Sequence, residues 1–216
     1  MAQRAADTPG RVVPAPSQEA ASASLAPAYQ IDTAWYRLQG GNKERLQSAA
    51  RIAPGDNLFV EVKTSVPAYV YIVNEDDEGE TFLLFPLPGQ TVTNPLPART
   101  TTRIPGSQAG QDIYWQVTTV GGREHFLIFV SPERLTTLEK TFATLPHPEV
   151  GKPVLNAKLS HEAVGVLRGV GGLTSTAKAS GTGARLAEQY QTPLSETAET
   201  ATGLWVRQLT LDNPVK

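Results

Sequence analysis

Ala-Tyr-Val-Tyr-Ile-Val-Asn-Glu-Asp at 68–76, Phe-Leu-Leu-Phe-Pro-Leu-Pro-Gly at 82–89, Asn-Pro-Leu-Pro at 94–97 and Gly-Gly-Arg-Glu-His-Phe-Leu-Ile at 121–128 mark out the stretch from Asn57 to Val130. Dense apolar runs of strand length alternate here with proline, glycine and acidic punctuation, which is the pattern of short β-strands joined by turns. The run from Ala68 to Val73 is apolar at nearly every position, as expected of a central strand covered on both faces. The acidic segment Asn74 to Glu78 with Gly79 reads as a solvated hairpin turn into Glu80–Phe85. Pro86, Pro88 and Gly89 then forbid further ladder pairing, so a long loop through Asn94-Pro95-Leu96-Pro97 follows.

Upstream, Pro54-Gly55-Asp56 launches a strand in which Leu58, Val60 and Val62 share one face, while Phe59 and Glu61 take the other. Ala34 to Leu38 reads as an opening strand that Gly40-Gly41-Asn42 ends. Downstream, Tyr114–Thr119 and Glu124–Val130 are expected to pair across Val120-Gly121-Gly122-Arg123, where two glycines permit a tight hairpin. Successive hairpins without intervening helices predict a mainly β fold, an antiparallel β-sandwich-like domain with one or two flanking α-helices.

The first helix is expected from Ser131-Pro132-Glu133, with Ser131 as N-cap, and it presents a stripe of Leu135, Leu138, Phe142 and Leu145 before Pro146 stops it. Ser160-His161-Glu162-Ala163-Val164 caps a second short helix that glycines after Arg168 terminate. Thr174–Gly183 reads as an exposed loop, Ala184–Tyr190 as a short helix and Leu194–Thr202 as loop. Leu204–Leu211 reads as a strand that returns to the main sheet. The chain therefore divides into a stalk or linker at 1–28, rich in Ala, Pro, Ser and Gln, and one β-rich domain at 29–216 with a loop-rich excursion at 151–203.

Composition removes several function classes. The 216 residues carry a formal charge of -2, which supplies no broad cationic surface for nucleic acid. With no cysteine there is neither a thiolate nucleophile nor a cysteine-based zinc site. No apolar run approaches the roughly 18 residues of a membrane span, and no signal-peptide core is present. A stalk without an anchor suggests an upstream membrane segment.

Candidates for chemistry are few. His161-Glu162 begins the zinc-protease pattern His-Glu-x-x-His, but Gly165 occupies the second histidine position. His147 lies in the proline-flanked Pro146-His147-Pro148. Glu124 and His125 are adjacent on a strand and so point to opposite faces. No Gly-x-Ser-x-Gly elbow is present, and the glycines at 169–172 and 181–183 lack the lysine of a phosphate loop. Five carboxylates crowd Asn74–Glu80 without calcium-loop spacing. No catalytic residue, metal ligand or cofactor is assigned.

The order Pro-Gly-Asp, Ala-Tyr-Val-Tyr-Ile-Val-Asn, an acidic turn, Leu-Leu-Phe-Pro, Ile-Pro-Gly and Gly-Gly-Arg-Glu-His-Phe-Leu resembles a bacterial domain-of-unknown-function family over about Arg51–Glu133, with Trp205-Val206-Arg207 as a further part. That family is commonly appended to serine/threonine protein kinases, caspase-like peptidases and membrane-anchored regulators of the anti-sigma-factor type. The resemblance implies an accessory module with no catalytic residues to transfer. The chain is thus expected to be a non-enzymatic sensory or protein-interaction domain of a larger or membrane-tethered regulator. It would lie in the periplasm or otherwise outside the cytoplasm, with the cytoplasm as alternative, and engage a protein or cell-envelope component rather than nucleic acid.

A carbohydrate- or peptidoglycan-binding module is the second expectation, because Tyr69 and Tyr71 share one face and would form a stacking platform if that face were open. A cryptic hydrolase is the third, and it would need His125 or His161 to meet an acid and a nucleophile. Recognition residues are sought on the loops and their flanks: Tyr69, Tyr71, Asn74, Asp76, Asp77, Asn94, Arg123 and Glu124.

Overall fold

The computed structural model describes residues 27–119, 121–145, 155–170 and 185–214. In chain order the strands and helices are β1 (Tyr29–Gln39), β2 (Asn42–Leu46), β3 (Asn57–Thr64), β4 (Tyr69–Asp76), β5 (Thr81–Phe85), β6 (Thr102–Ile104), β7 (Ser107–Gln108), β8 (Gln111–Asp112), β9 (Trp115–Gln116), β10 (Arg123–Ser131), α1 (Thr136–Phe142), β11 (Ala157–Lys158), α2 (His161–Val170), α3 (Leu186–Gln189), β12 (Glu199–Ala201) and β13 (Trp205–Asp212). One sheet runs β12-β1-β3-β6, with β2 added to β1 and β9 to β3; a second runs β11-β5-β4-β10-β13. Every ladder between these strands is antiparallel. The mainly β, sandwich-like expectation therefore holds.

Side-chain alternation explains the layering. Leu58, Val60 and Val62 of β3 meet Val70 and Ile72 of β4 and Phe126, Ile128 and Val130 of β10 in one cluster between the sheets. Tyr71 and Val73 of β4 with Leu127 and Phe129 of β10 point the other way, into a second cluster beneath the helices. The central strands are thus apolar on both faces because each face has its own cover. A bulge between Ile72 and Val73 of the β4–β5 ladder skips Leu84, so Leu84 and Phe85 both serve the inter-sheet core while Leu83 serves the helix side.

The helices, with Leu145 just beyond α1, cover the outer face of the second sheet through Leu138, Phe142, Ala163, Leu167 and Leu186. The α1 stripe is as expected, but its start is not. Ser131 is the last residue of β10, its hydroxyl accepts the Glu133 N–H at 3.1 Å, and Leu135 precedes the first helical turn. The serine-proline pair closes a strand rather than opening a helix. Ser160 does cap α2, accepting the Ala163 N–H at 3.2 Å. The expectations for Pro146, His147, Gly171–Gly172 and Thr174–Gly183 fall outside the described residues.

Two further corrections concern strands. The hairpin expected across 120–123 does not form, since β9 pairs with β3 in the first sheet whereas β10 lies between β4 and β13 in the second. The two glycines serve a change of sheet instead. The segment Leu194–Thr202, expected as loop, contains β12, which pairs with β1. The C-terminal strand returns to β10 as expected.

Candidate functional site

The tyrosine pair is covered. Tyr71 is fully buried, and its hydroxyl donates to Glu139 Oε1 at 2.9 Å and accepts the Leu135 N–H at 3.2 Å. Burial pushes that hydroxyl far above the usual phenol range, with the hydrogen bond and charge of Glu139 acting in the same direction. Tyr69 lies half-buried on the same face, with the Arg134 guanidinium 5.4 Å from its ring centre. Because α1 closes this face, the pair forms no open stacking platform.

Asn94 is a clamp. Its side-chain oxygen accepts the Val70 N–H at 2.9 Å and its amide nitrogen donates to the Val70 carbonyl at 3.0 Å. The β5 ladder reaches only Ile72, so this amide and the Ala68–Leu96 bridge satisfy backbone at the start of β4 on the edge away from β10.

The acidic run forms the expected exposed hairpin turn only in its second half, and Asn74 to Asp76 belong to β4. Only 77–80 lies beyond β4, and Asp76 Oδ1 holds that turn by accepting the N–H groups of Glu78 at 3.0 Å and Glu80 at 2.8 Å. Glu75 is 1% exposed and accepts the N–H groups of Leu186 and Ala187 at 3.0 and 2.7 Å, which anchors the start of α3. Asp77 accepts the Arg123 N–H at 2.8 Å and lies 3.6 Å from Arg123 Nε and 3.7 Å from Arg185 Nη1. Gly122 makes room for that contact: a Cβ there would meet Asp77 Oδ2 at 3.1 Å, and its φ of +88° strains any other residue.

His125 belongs to the same cluster. Its Nδ1 lies 3.0 Å from Thr210 Oγ1 and its Nε2 3.8 Å from Asp77. Gln208, turned so that its nitrogen donates to the Ala187 and Tyr190 carbonyls, accepts from His125 Nδ1 and from the Thr210 hydroxyl. Burial holds the His125 pKa below its usual value; Arg185 and Arg123 lower it further, against the opposing charges of Asp77 and Glu75. A neutral imidazole, an acid and a hydroxyl thus meet, as the hydrolase alternative asks. They meet in packing beneath α3, and His125 is 7% exposed. His161 is exposed at the start of α2.

Asn74 and Glu124 come together on the opposite face of the sheet. Asn74 Nδ2 donates to Glu124 Oε2 at 3.0 Å, and the Thr119 hydroxyl donates to Oε1 at 2.6 Å. Asn213 fixes Thr119 in turn, donating to its carbonyl at 2.9 Å. Glu124 is 7% exposed and lines a cleft of about 340 Å³ between the two sheets. Leu58, Phe82, Leu84, Trp115 and Phe126 form its apolar wall, and Gln116, Thr118 and Asn156 its polar lining. The Trp115 indole N–H donates to the Leu155 carbonyl at 3.0 Å, and its ring packs 5.5 Å from that of Trp35. These bonds hold the wall and the carboxylate in place, so the cleft is preformed.

Of the residues expected to recognise a partner, Asn74 and Glu124 share this cleft, Asp77 and Arg123 meet at the β4–β5 turn, and Tyr69, Tyr71, Asp76 and Asn94 serve the fold. Thr119 and Asn156 were not anticipated. Strand parity carried one usable signal, since Glu124 has the same parity as Phe126, Ile128 and Val130 and must face the inter-sheet core with them. Among the described residues no group of three or more His, Asp or Glu is arranged to hold a metal ion. No described helix is long and apolar enough to cross a membrane.

Comparison with known proteins returned neither a curated protein nor a solved structure that matches the chain. The segment from Ile52 through Arg134 carries β3 to β10, and with them both the acidic turn and most of the cleft wall. Residues 52–134 match the family model described as Domain of unknown function (DUF4384), so that domain is found in this part of the chain.

Proposed function

We propose that this chain is a non-enzymatic recognition module, the sensory or protein-interaction arm of a larger or membrane-tethered bacterial regulator, and that it engages its partner at the Glu124 cleft outside the cytoplasm. Kinases, caspase-like peptidases and anti-sigma-type regulators are the kinds of protein to which such a module would be attached. The observation that carries the reading is the cleft: a preformed apolar recess with a few fixed polar groups, which is the general form of a binding site. A binding role is further supported by the contrast with His125, whose imidazole and neighbouring hydroxyl are engaged with Gln208 beneath α3. Burial of Tyr71 under α1 takes away the tyrosine platform on which the carbohydrate alternative rested.

The test is site-specific photocrosslinking in cells that carry the intact gene product. A crosslinking side chain at Gln116, exposed on the polar lining of the cleft, is compared with one at Asp32, exposed on β1. Specific adducts from 116 and none from 32 are expected. Equal adducts from both positions, or none from either, would overturn the cleft reading. Turnover by the purified chain that is lost in His125→Ala would overturn the non-enzymatic one.

A further inference from the structure

The charge environment of Glu124 differs from that of Asp56, Asp77 and Glu199, each of which faces an arginine. Asp56 is met by Arg37 at 3.1 Å, Asp77 by Arg123 and Arg185, Glu199 by Arg207, and Glu75 by the two N–H groups that open α3. Glu124 receives one hydrogen bond on each oxygen, both from neutral side chains, and among the described residues no cation forms an ion pair with it. A carboxylate taken out of water without a countercharge carries an unmet solvation cost. Here it lies in a cleft walled by Trp115, Phe82 and Phe126, and aromatic walls add their own attraction for a cation.

We infer that the cleft accepts a primary ammonium group on an aliphatic stem, either a lysine side chain presented by a partner or a free aliphatic diamine. This rests on the cleft being the binding site. The stem suits the apolar wall, and the ammonium supplies the missing positive charge. Hydrogens left over on the ammonium can reach side-chain oxygens of the polar lining, which includes Thr118 and Asn156. Guanidinium fits less well. Its planar fork is strongest on two free oxygens of one carboxylate, whereas both oxygens of Glu124 already accept a bond. An ammonium needs only one remaining lone pair.

The test is an NMR titration of the full chain, following backbone amides and the indole N–H signals. The probes are Nα-acetyl-lysine amide, its Nε-acetylated neutral counterpart, Nα-acetyl-arginine amide and cadaverine. Saturable shifts are expected at Trp115, Glu124 and Asn156 with the lysine amide or with cadaverine, at least about tenfold tighter than with the neutral counterpart. The tighter of the two cationic probes identifies the source of the group. Glu124→Gln should abolish the preference for charge while leaving the weak apolar binding. Equal affinity for charged and neutral probes, tighter binding of the arginine amide, shifts centred on Asp77 instead, or no saturable shift would each overturn the inference. The wild-type comparison decides the matter even if the variant does not fold. Failure here with position-specific crosslinking from Gln116 intact would sink the ammonium inference alone. Binding of ammonium without such crosslinks would sink the partner-engagement reading instead.

Discussion

Glu75 and Glu124 are two glutamates on neighbouring strands of one sheet, nearly equal in burial and opposite in situation. Glu124 stands across from Asp76 and Glu75 across from His125 in the β4–β10 ladder, so the two carboxylates emerge on opposite faces. Glu75 points toward the helices, where the Leu186 and Ala187 N–H groups occupy one oxygen each. Glu124 points between the sheets, where two rotatable or amide-bearing side chains meet it and a cleft opens beside it. Burial alone therefore does not say what an acidic residue is for. The rigidity of its donors and the space next to it do.

The same substitution at both sites separates the two roles. Glu75→Gln offers a donor where the backbone of α3 requires a second acceptor, leaving a buried N–H facing another N–H. Stability should fall by about 3 kcal/mol, within the range for orphaned buried donors. The measurement is urea unfolding of the two variants side by side. A loss at Glu75 no larger than that at Glu124 would remove the distinction.

A second pair of like residues sharpens the role of the helix-covered face. Tyr71→Phe strands the Leu135 N–H and the Glu139 carboxylate that the hydroxyl now joins. It should cost about 1.5 kcal/mol. Tyr69→Phe, at a half-buried position, should stay within about 0.5 kcal/mol. Equal effects in a thermal melt would mean that α1 does not depend on the Tyr71 hydroxyl.

These residues also show where sequence reading stops. Strand identity along β3, β4, β5, β10 and β13 was legible because parity and punctuation are local properties. Sheet membership was not: the hairpin expected at 120–123 fails because β9 pairs with β3, a choice made by residues nearly sixty positions upstream. The start of α1 was misplaced because Ser-Pro-Glu satisfies a local helix-start rule that the longer β10 ladder overrides. As for the site, Asn74 and Glu124 were picked out as loop residues, whereas both lie within strands and meet on the inter-sheet face. The donors to Glu75 come from more than a hundred residues away, and Thr119, Trp115 and Asn156 converge on the cleft only once both sheets are assembled.

The helix-side cluster should also make stability depend on pH, to a smaller extent than either substitution. His125 has a pKa lowered in the fold, first by burial and then by Arg185 and Arg123. A base with a depressed native pKa is less protonated when folded than when unfolded, so acid favours the unfolded chain. Its contribution is fully present above the ordinary value of 6.5 and is lost as pH falls from there through the lowered native value. Melting temperature recorded across this window should decline in the wild type more steeply than in His125→Gln. Parallel curves would show that the imidazole contributes nothing to the pH response.

Glu124→Gln should have the smallest effect on stability. A glutamine oxygen can still accept from Asn74 Nδ2, and its amide nitrogen can donate to the Thr119 hydroxyl, which rotates to act as acceptor. The change should therefore stay within about 0.5 kcal/mol, although the position is as enclosed as many core residues. A loss approaching that of Glu75→Gln in the same urea series would mean that the carboxylate braces the Asn74–Thr119 contact rather than facing the cleft as a recognition group. Near-neutral stability combined with loss of cationic ligand preference would place the purpose of Glu124 in what enters the cleft, and leave Glu75 as the carboxylate that the fold itself requires.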